Sequence, residues 1–280
     1  ISKSSLGLDA EILNLAIPAL ITLLLDPLLG AVDTAMVGNI QSNPELAKAS
    51  LEGIACANAI FNFVQKCCNF LAVVTAPLVA KDVASYMKKE SNFEDLEDGK
   101  ITSSSKTVVA ATMLAFTMGI IFLILIETNT DKLLSLSGGN ALDPLAYNEA
   151  SNYIRIRALG LPASLIGVVG VGAFRGISNT KTPLKIVFTA EIVHLIIAYI
   201  LIFQFEKGAA SAAVATSFST YLQGFLFLTV LSHQKIINIQ DFSNFHENLI
   251  DLVETAKNVK NTVRNFPERY MPVLLTRRLW

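Results

Sequence analysis

The sequence is short of charge. Only 16% of its 280 residues are Asp, Glu, Lys or Arg, where a soluble globular domain carries about a quarter. Against that, 52% are hydrophobic and the mean hydropathy is +0.50. A formal net charge of -1 leaves no electrostatic footprint for nucleic acid. Cysteine is scarce too. Cys56, Cys67 and Cys68 all fall in one apolar stretch, and adjacent cysteines on a helix point apart, so neither a disulfide framework nor a metal site is expected. No zinc spacing, phosphate loop or catalytic triad is present, and nothing in the sequence supports an enzyme. The glycine-rich fragment 160–176 lies inside an apolar run, not between a strand and a helix, which excludes a nucleotide fingerprint. The first apolar run is longer than a signal-peptide core, so no cleavable signal is expected.

What the chain does have is long apolar runs. A helix needs about 20 mostly apolar residues to cross the hydrocarbon core of a bilayer. Ile12–Val37, Thr107–Ile126, Tyr153–Phe174, Leu184–Phe205 and Ala209–Leu231 meet that length. Leu51–Val79 is long enough but is interrupted by Asn58, Asn62, Gln65, Lys66 and Asn69. Each run far exceeds a barrel strand, so the expectation is an all-α membrane protein of six transmembrane helices over residues 1–231. The segment Asp82–Lys106 mixes acids, lysines, glycine and serines and reads as a solvated loop. The tail 232–280 holds no spanning run; Leu249, Leu252, Val253, Ala256 and Val259 recur at helical spacing within His246–Val263, as in an amphipathic surface helix, with a disordered tail as the alternative.

Loop Lys and Arg set the orientation. With both termini on one side, that side also collects Lys81, Lys88, Lys89, Lys100, Lys106, Arg175, Lys181 and Lys185. The other side holds Lys48, Lys132, Arg155, Arg157 and Lys207. Both termini are therefore expected on the cytoplasmic side or its organellar equivalent.

Polar residues at bilayer depth cost about 2.5–3.5 kcal/mol or more for a carboxylate and so usually face a cavity or a partner. Asp26 and Asp33 both fall in the first span. Seven residues make nearly two turns, which puts both carboxylates and Gly30 on one face, the acids about 10.5 Å apart along the axis. Pro18 and Pro27 loosen that helix and free carbonyls. The plainer readings are that Asp33 snorkels to the interface and that Asp26 pairs with Lys66. In the second span Asn58, Asn62, Gln65 and Asn69 follow an i, i+4, i+7, i+11 pattern, one polar stripe that faces a hydrated cavity or glues two helices together. In the fifth span Glu191 and His194 are one turn apart; an imidazole beside a carboxylate exchanges protons in the physiological range, and a satisfied structural pair has the same spacing. Glycines and Pro162 in the fourth span favour close packing or bending. Ser211, Ser217, Ser219, Thr220 and Gln223 in the sixth line a pathway or back-bond to their own helix.

Three segments resemble one family. Leu24–Gly38, LLDPLLGAVDTAMVG, is similar to the first-helix signature of the multidrug and toxic compound extrusion (MATE) transporters, especially the eukaryotic branch of the DinF-like subfamily. Gly160–Leu184, GLPASLIGVVGVGAFRGISNTKTPL, resembles that subfamily's fourth-helix end and FRG-x-x-(D/N)-TKTP loop. Gly208–Ala215, GAASAAVA, resembles the opening of the sixth helix. The resemblance implies a six-helix lobe, normally one of two around a cavity that opens alternately to each side. It also implies no cofactor beyond a coupling ion, H⁺ or Na⁺, with Asp33 at the position of the family's first-helix coupling acid and Asn58, Asn62 and Asn69 facing the same lobe cavity.

Two departures qualify this. Where the subfamily's fifth helix reads N-x-x-x-D, this chain has His194 and Ala198; Glu191 and His194 are the available substitutes. The tail after Ser232 does not resemble a seventh helix. The expected function is a secondary antiporter exporting a small organic solute, a drug-like compound or organic acid, from a plasma membrane or plastid or other organelle envelope. The alternatives are a truncated half-transporter without activity of its own and a half that pairs with a partner lobe or a second copy. A flippase of a related superfamily is disfavoured by the scarcity of intramembrane Lys and Arg.

Overall fold

The computed structural model describes residues 3–40, 43–90, 105–205, 208–234 and 236–237, and these described residues form eight α-helices. They are α1 (Lys3–Gly38), α2 (Pro44–Cys68), α3 (Phe70–Glu90), α4 (Ser105–Leu136), α5 (Pro144–Leu159), α6 (Leu161–Gly176), α7 (Lys181–Phe205) and α8 (Ala209–His233), with a short 3₁₀ turn at Gly139–Ala141. No strand occurs among the described residues. Among the described residues five stretches are long and apolar enough to cross a membrane, and α5 with α6, bent by 52°, makes a sixth if the pair counts as one broken span. The amphipathic helix read over His246–Val263 lies outside the described residues.

Local chemistry explains where the helices depart from simple rods. The second span begins at Pro44 rather than Leu51 because Asn43 caps it: Asn43 Oδ1 accepts the Leu46 N–H at 3.0 Å, and Pro44 occupies the first turn, where a missing N–H costs nothing. At Asn69 the helix tightens, with the Asn69 N–H on the Lys66 carbonyl and the Ala72 N–H on the Asn69 carbonyl. The span nevertheless continues as one apolar stretch, Pro44–Lys81. The run read as Tyr153–Phe174 is two helices. Gly160 ends α5, and Leu161-Pro162 starts α6 with proline in its first turn, so the bend follows from the Gly-Leu-Pro sequence. Part of the segment read as loop is helical, since α3 runs on to Glu90. α1 passes through both Pro18 and Pro27 as a single helix.

Packing is tight where small residues meet. Lipid tails are as apolar as leucine, so helices in a bilayer associate through van der Waals fit and polar contacts. A Cβ on Gly119 of α4 would collide with the backbone of Pro162, so the bent α5–α6 pair rests directly on α4 only because that position is glycine. α2 lies along α5, α3 along α6, and α8 touches α5, α6 and α7. One buried cluster runs from Val37 through Ile54, Phe61 and Leu165 to Ala213; a second gathers Val79, Phe174, Val187, Phe227 and Leu231. α1 stands at the edge, packed chiefly on α7, and leaves Ile12, Leu13, Leu20, Leu23, Leu24 and Leu28 exposed.

Candidate functional site

The seven-residue spacing in α1 meets α7 at its Asp33 end. Asp33 Oδ1 lies 2.8 Å from Nε2 of His194, whose side chain is 2% exposed. His194 is thus an interhelical residue: its carboxylate partner comes from α1, not from Glu191 on its own helix. On the far side of the ring, α8 supplies Ser219, whose Oγ is 3.4 Å from Nδ1 while its hydroxyl donates to the Thr216 carbonyl at 2.9 Å. An imidazole that is itself buried is therefore held between a carboxylate and a serine hydroxyl.

Two further acids belong to this neighbourhood without touching it. Glu191 is half-buried and lies within Coulombic range of His194, Asp26, Asp33 and Arg157. Asp26 is within range of Arg157; among the described residues it has no hydrogen-bond partner, and the reading that pairs it with Lys66 finds no such bridge. Lys66 is exposed.

The polar stripe of α2 divides. Asn58 Oδ1 accepts from the Tyr153 hydroxyl and from Arg157 Nη1, both at 3.1 Å, and Arg157 Nη1 also donates to the Tyr153 oxygen at 2.9 Å. The Arg157 guanidinium sits over the Phe61 ring, 4.8 Å from its centroid. Gln65 Nε2 donates to Ser164 Oγ at 2.7 Å, joining α2 to α6. Asn58 and Gln65 thus hold helices together, whereas Asn62 and Asn69 are exposed. Between the two networks lies a small cavity of ≈ 30 Å³ lined by Phe61, Gln65, Arg157, Ser164, Ser217 and Thr220. That admits a water or two and no organic solute. The buried Gln65 Oε1, which has no protein partner, faces the need such a water meets.

Arg157 is the residue that sequence reasoning misplaced. It falls inside the run Tyr153–Phe174 yet counts there with the loop charges, and α5 carries it among Asn58, Tyr153 and Phe61. Its spacing of four from Tyr153 was the available signal. A second missed cluster sits at the start of α8. Glu149 Oε2, on a side chain from α5, accepts the Ser50 hydroxyl at 2.9 Å and the Ala209 N–H at 2.8 Å. Gly208 allows this approach: its φ is 59°, and a Cβ there would overlap the Ser50 hydroxyl and the Glu149 carboxylate. The three cysteines are free thiols, with Cys56 Sγ against Ser137 Oγ at 2.9 Å.

Comparison with known proteins sets this lobe in context. The MatE family model matches residues 97–200. The chain is 32% identical over 228 residues to the chloroplastic Protein DETOXIFICATION 44 of Arabidopsis thaliana, covering 81% of this chain and 42% of that one. DNA damage-inducible protein F of Escherichia coli is 25% identical over 235 residues, covering 84% and 46%. Among solved structures, a multidrug resistance MATE transporter in an outward-facing conformation superposes with a TM-score of 0.69 at 20% identity, over 87% of this chain and 50% of that one. A Vibrio cholerae MATE transporter in a bent form gives 0.71 at 14%, over 99% and 59%. The chain spans about half the length of the curated relatives it matches. Helix order, the three sequence motifs and these likenesses agree: residues 97–200 match the MatE family, and the chain has the fold of about half of a MATE transporter.

Proposed function

We propose that this lobe forms part of a secondary antiporter that exports a small organic solute in exchange for H⁺ or Na⁺, with Asp33 as the coupling acid. The observation that carries the reading is the 2.8 Å contact between Asp33 on α1 and His194 on α7. A carboxylate in a membrane lobe is costly when ionised, so loading it with an ion changes which helix arrangement is favoured. The exposed polar side chains Asp26, Asn62 and Asn69 are the proposed contacts of the solute, since the cavity beside Arg157 and Gln65 holds only water-sized groups. As a MATE lobe, the chain acts as a carrier and not an enzyme. The chloroplast envelope is its proposed membrane, by analogy with relatives described as chloroplastic, with both termini on the side richer in loop Lys and Arg.

The chain spans about half the length of the curated relatives it matches, and carriers of this kind build their pathway between two lobes. Reconstitution in proteoliposomes together with a partner six-helix lobe tests the proposal. Efflux of a cationic dye or an organic acid driven by a pH or Na⁺ gradient is expected with the partner lobe, and Asp33→Asn abolishes it while membrane insertion is unchanged. Undiminished efflux in Asp33→Asn overturns the assignment of Asp33.

A further inference from the structure

The turn between α6 and α7, within the segment GISNTKTP, takes no part in the function proposed above. It folds tightly back on α6. Ser178 takes the left-handed conformation, with a φ of 58°; its N–H bonds the Arg175 carbonyl at 3.0 Å, and the Asn179 N–H bonds the Phe174 carbonyl at 2.9 Å. The last turn of α6 and the first turn of α7 are thereby brought to one place.

Several donors are left unspent there. Arg175, in the last turn of α6, is half-buried, and its guanidinium has no hydrogen bond or ion pair among the described residues. Thr180, which directly precedes α7, is 9% exposed, and its hydroxyl is enclosed without a partner. The sequence explains why. A hydroxyl before a helix normally accepts an N–H of the first turn. Here the Thr182 N–H is already on Asn179 Oδ1 at 3.1 Å, and Pro183 has none to give. Thr180 Oγ1 thus stands at the mouth of α7, where the N–H groups of Thr180 and Lys181 also lack acceptors among the described residues.

Charge points the same way. Lys181 and Lys185, one turn apart on α7, are exposed, and no Asp or Glu occurs from residue 150 to residue 190. On α3, which touches Gly176 through Ala76 and Val79, Lys81 and Asp82 offset one another. A guanidinium offers paired N–H bonds to an oxyanion, and a helix start favours an anion through its free N–H groups and dipole. The turn lies at the end of the lobe where loop Lys and Arg collect, the side on which lipid headgroups carry net negative charge. We infer that the α6–α7 turn is a binding site for a phosphate group, held by Arg175, the Thr180 hydroxyl and the first N–H groups of α7, with Lys181 and Lys185 adding charge. The phosphate belongs to the headgroup of an anionic phospholipid or is free inorganic phosphate. Nothing in the site requires Asp33, His194 or transport.

The test is native mass spectrometry of the full chain, stripped of lipid in detergent and titrated separately with phosphatidylglycerol, with inorganic phosphate and with a galactolipid, which has no phosphate. Arg175→Gln and Thr180→Val should each weaken binding of the phosphate group about tenfold or more, and Thr180→Ser should restore it. Lys132→Gln, on the opposite side, should change nothing. Without ligand, Thr180→Val should unfold at no lower temperature than the parent, because it removes a buried hydroxyl that has no partner. Its loss of binding is then not a loss of fold. Adducts with both phosphate sources and the same variant pattern show that the phosphate group suffices; adducts with phosphatidylglycerol alone show that the lipid is the source. Equal retention of the galactolipid, binding of neither phosphate source, or adducts undiminished in Arg175→Gln and Thr180→Val overturn the site. Equal weakening by Lys132→Gln overturns it too, since general surface charge then explains the binding.

Discussion

Ser50 and Glu149 lie 99 positions apart, yet the Ser50 hydroxyl donates to Glu149 Oε2 at 2.9 Å, and the same oxygen receives the first N–H of α8 from Ala209. Three helices, α2, α5 and α8, are tied through one carboxylate that is itself 8% exposed. Glu149 acts as a remote N-cap, supplying from another helix the acceptor that α8 lacks in its own sequence, where Gly208 precedes it.

Glu149→Ala leaves the buried Ser50 hydroxyl without its acceptor and the Ala209 N–H with only Ser50 Oγ, at 3.1 Å, and an unsatisfied buried donor costs about 1–3 kcal/mol. The thermal unfolding midpoint in detergent should fall clearly, and Glu149→Gln, which retains one oxygen acceptor, should lie between the variant and the parent. Equal midpoints for all three would show that the carboxylate does not hold α8.

Arg157 and Phe61 offer a pairwise test. The guanidinium 4.8 Å from the ring centroid should contribute about 0.5–2 kcal/mol beyond burial. A double-mutant cycle with Arg157→Met and Phe61→Leu should return a coupling in that range. Asn58→Leu should shrink the effect of Phe61→Leu, because it removes the acceptor that orients the guanidinium. Additive losses would count against the contact.

Two glycines predict opposite outcomes for the same substitution. Gly119→Ala drives a methyl into the Pro162 backbone and should cost about 1–3 kcal/mol, with loss of the α4–α6 fit. Gly30→Ala in α1 meets no atom within 4 Å and should be neutral, or stabilising by up to about 1 kcal/mol through helix propensity. Thermal unfolding of the two single variants decides the matter.

The hydrogen bond between Asp33 and His194 should set how closely α1 approaches α7. Spin labels at the exposed positions Leu28 and Ile196, in a variant without the three cysteines, should report a longer or broader distance in Asp33→Ala than in the parent. An unchanged distance distribution would show that this contact does not hold the two helices together.

How much of this was legible beforehand depended on range. Apolar runs set by composition placed the helices, and the seven-residue spacing in α1 pointed to one face for Asp26 and Asp33. The breaks were harder. Gly160 and Pro162 signal a bend only once α5 and α6 are recognised as separate helices, and hydropathy alone began the second span seven residues late because Asn43-Pro44 is a capping signal rather than an apolar one. Site partnerships were largely hidden. His194 has a carboxylate one turn away on its own helix, and that local spacing competes with a partner 161 residues distant, which no periodicity encodes. Asn58 and Gln65 in the α2 stripe turned out to bind helices to one another, while Asn62 and Asn69 remain on the open face. A polar stripe alone does not distinguish the two roles.

The one-sided packing of α1 also has a consequence in time. Its main neighbour is α7, and the polar contact that joins them spans 161 residues. At synthesis rates of about 5–20 residues per second, α1 emerges roughly 10–30 s before that partner exists. For that interval a helix carrying two carboxylates has no imidazole to meet. Until the later helix arrives, Asp33 lacks the partner that joins α1 to α7 in the finished fold.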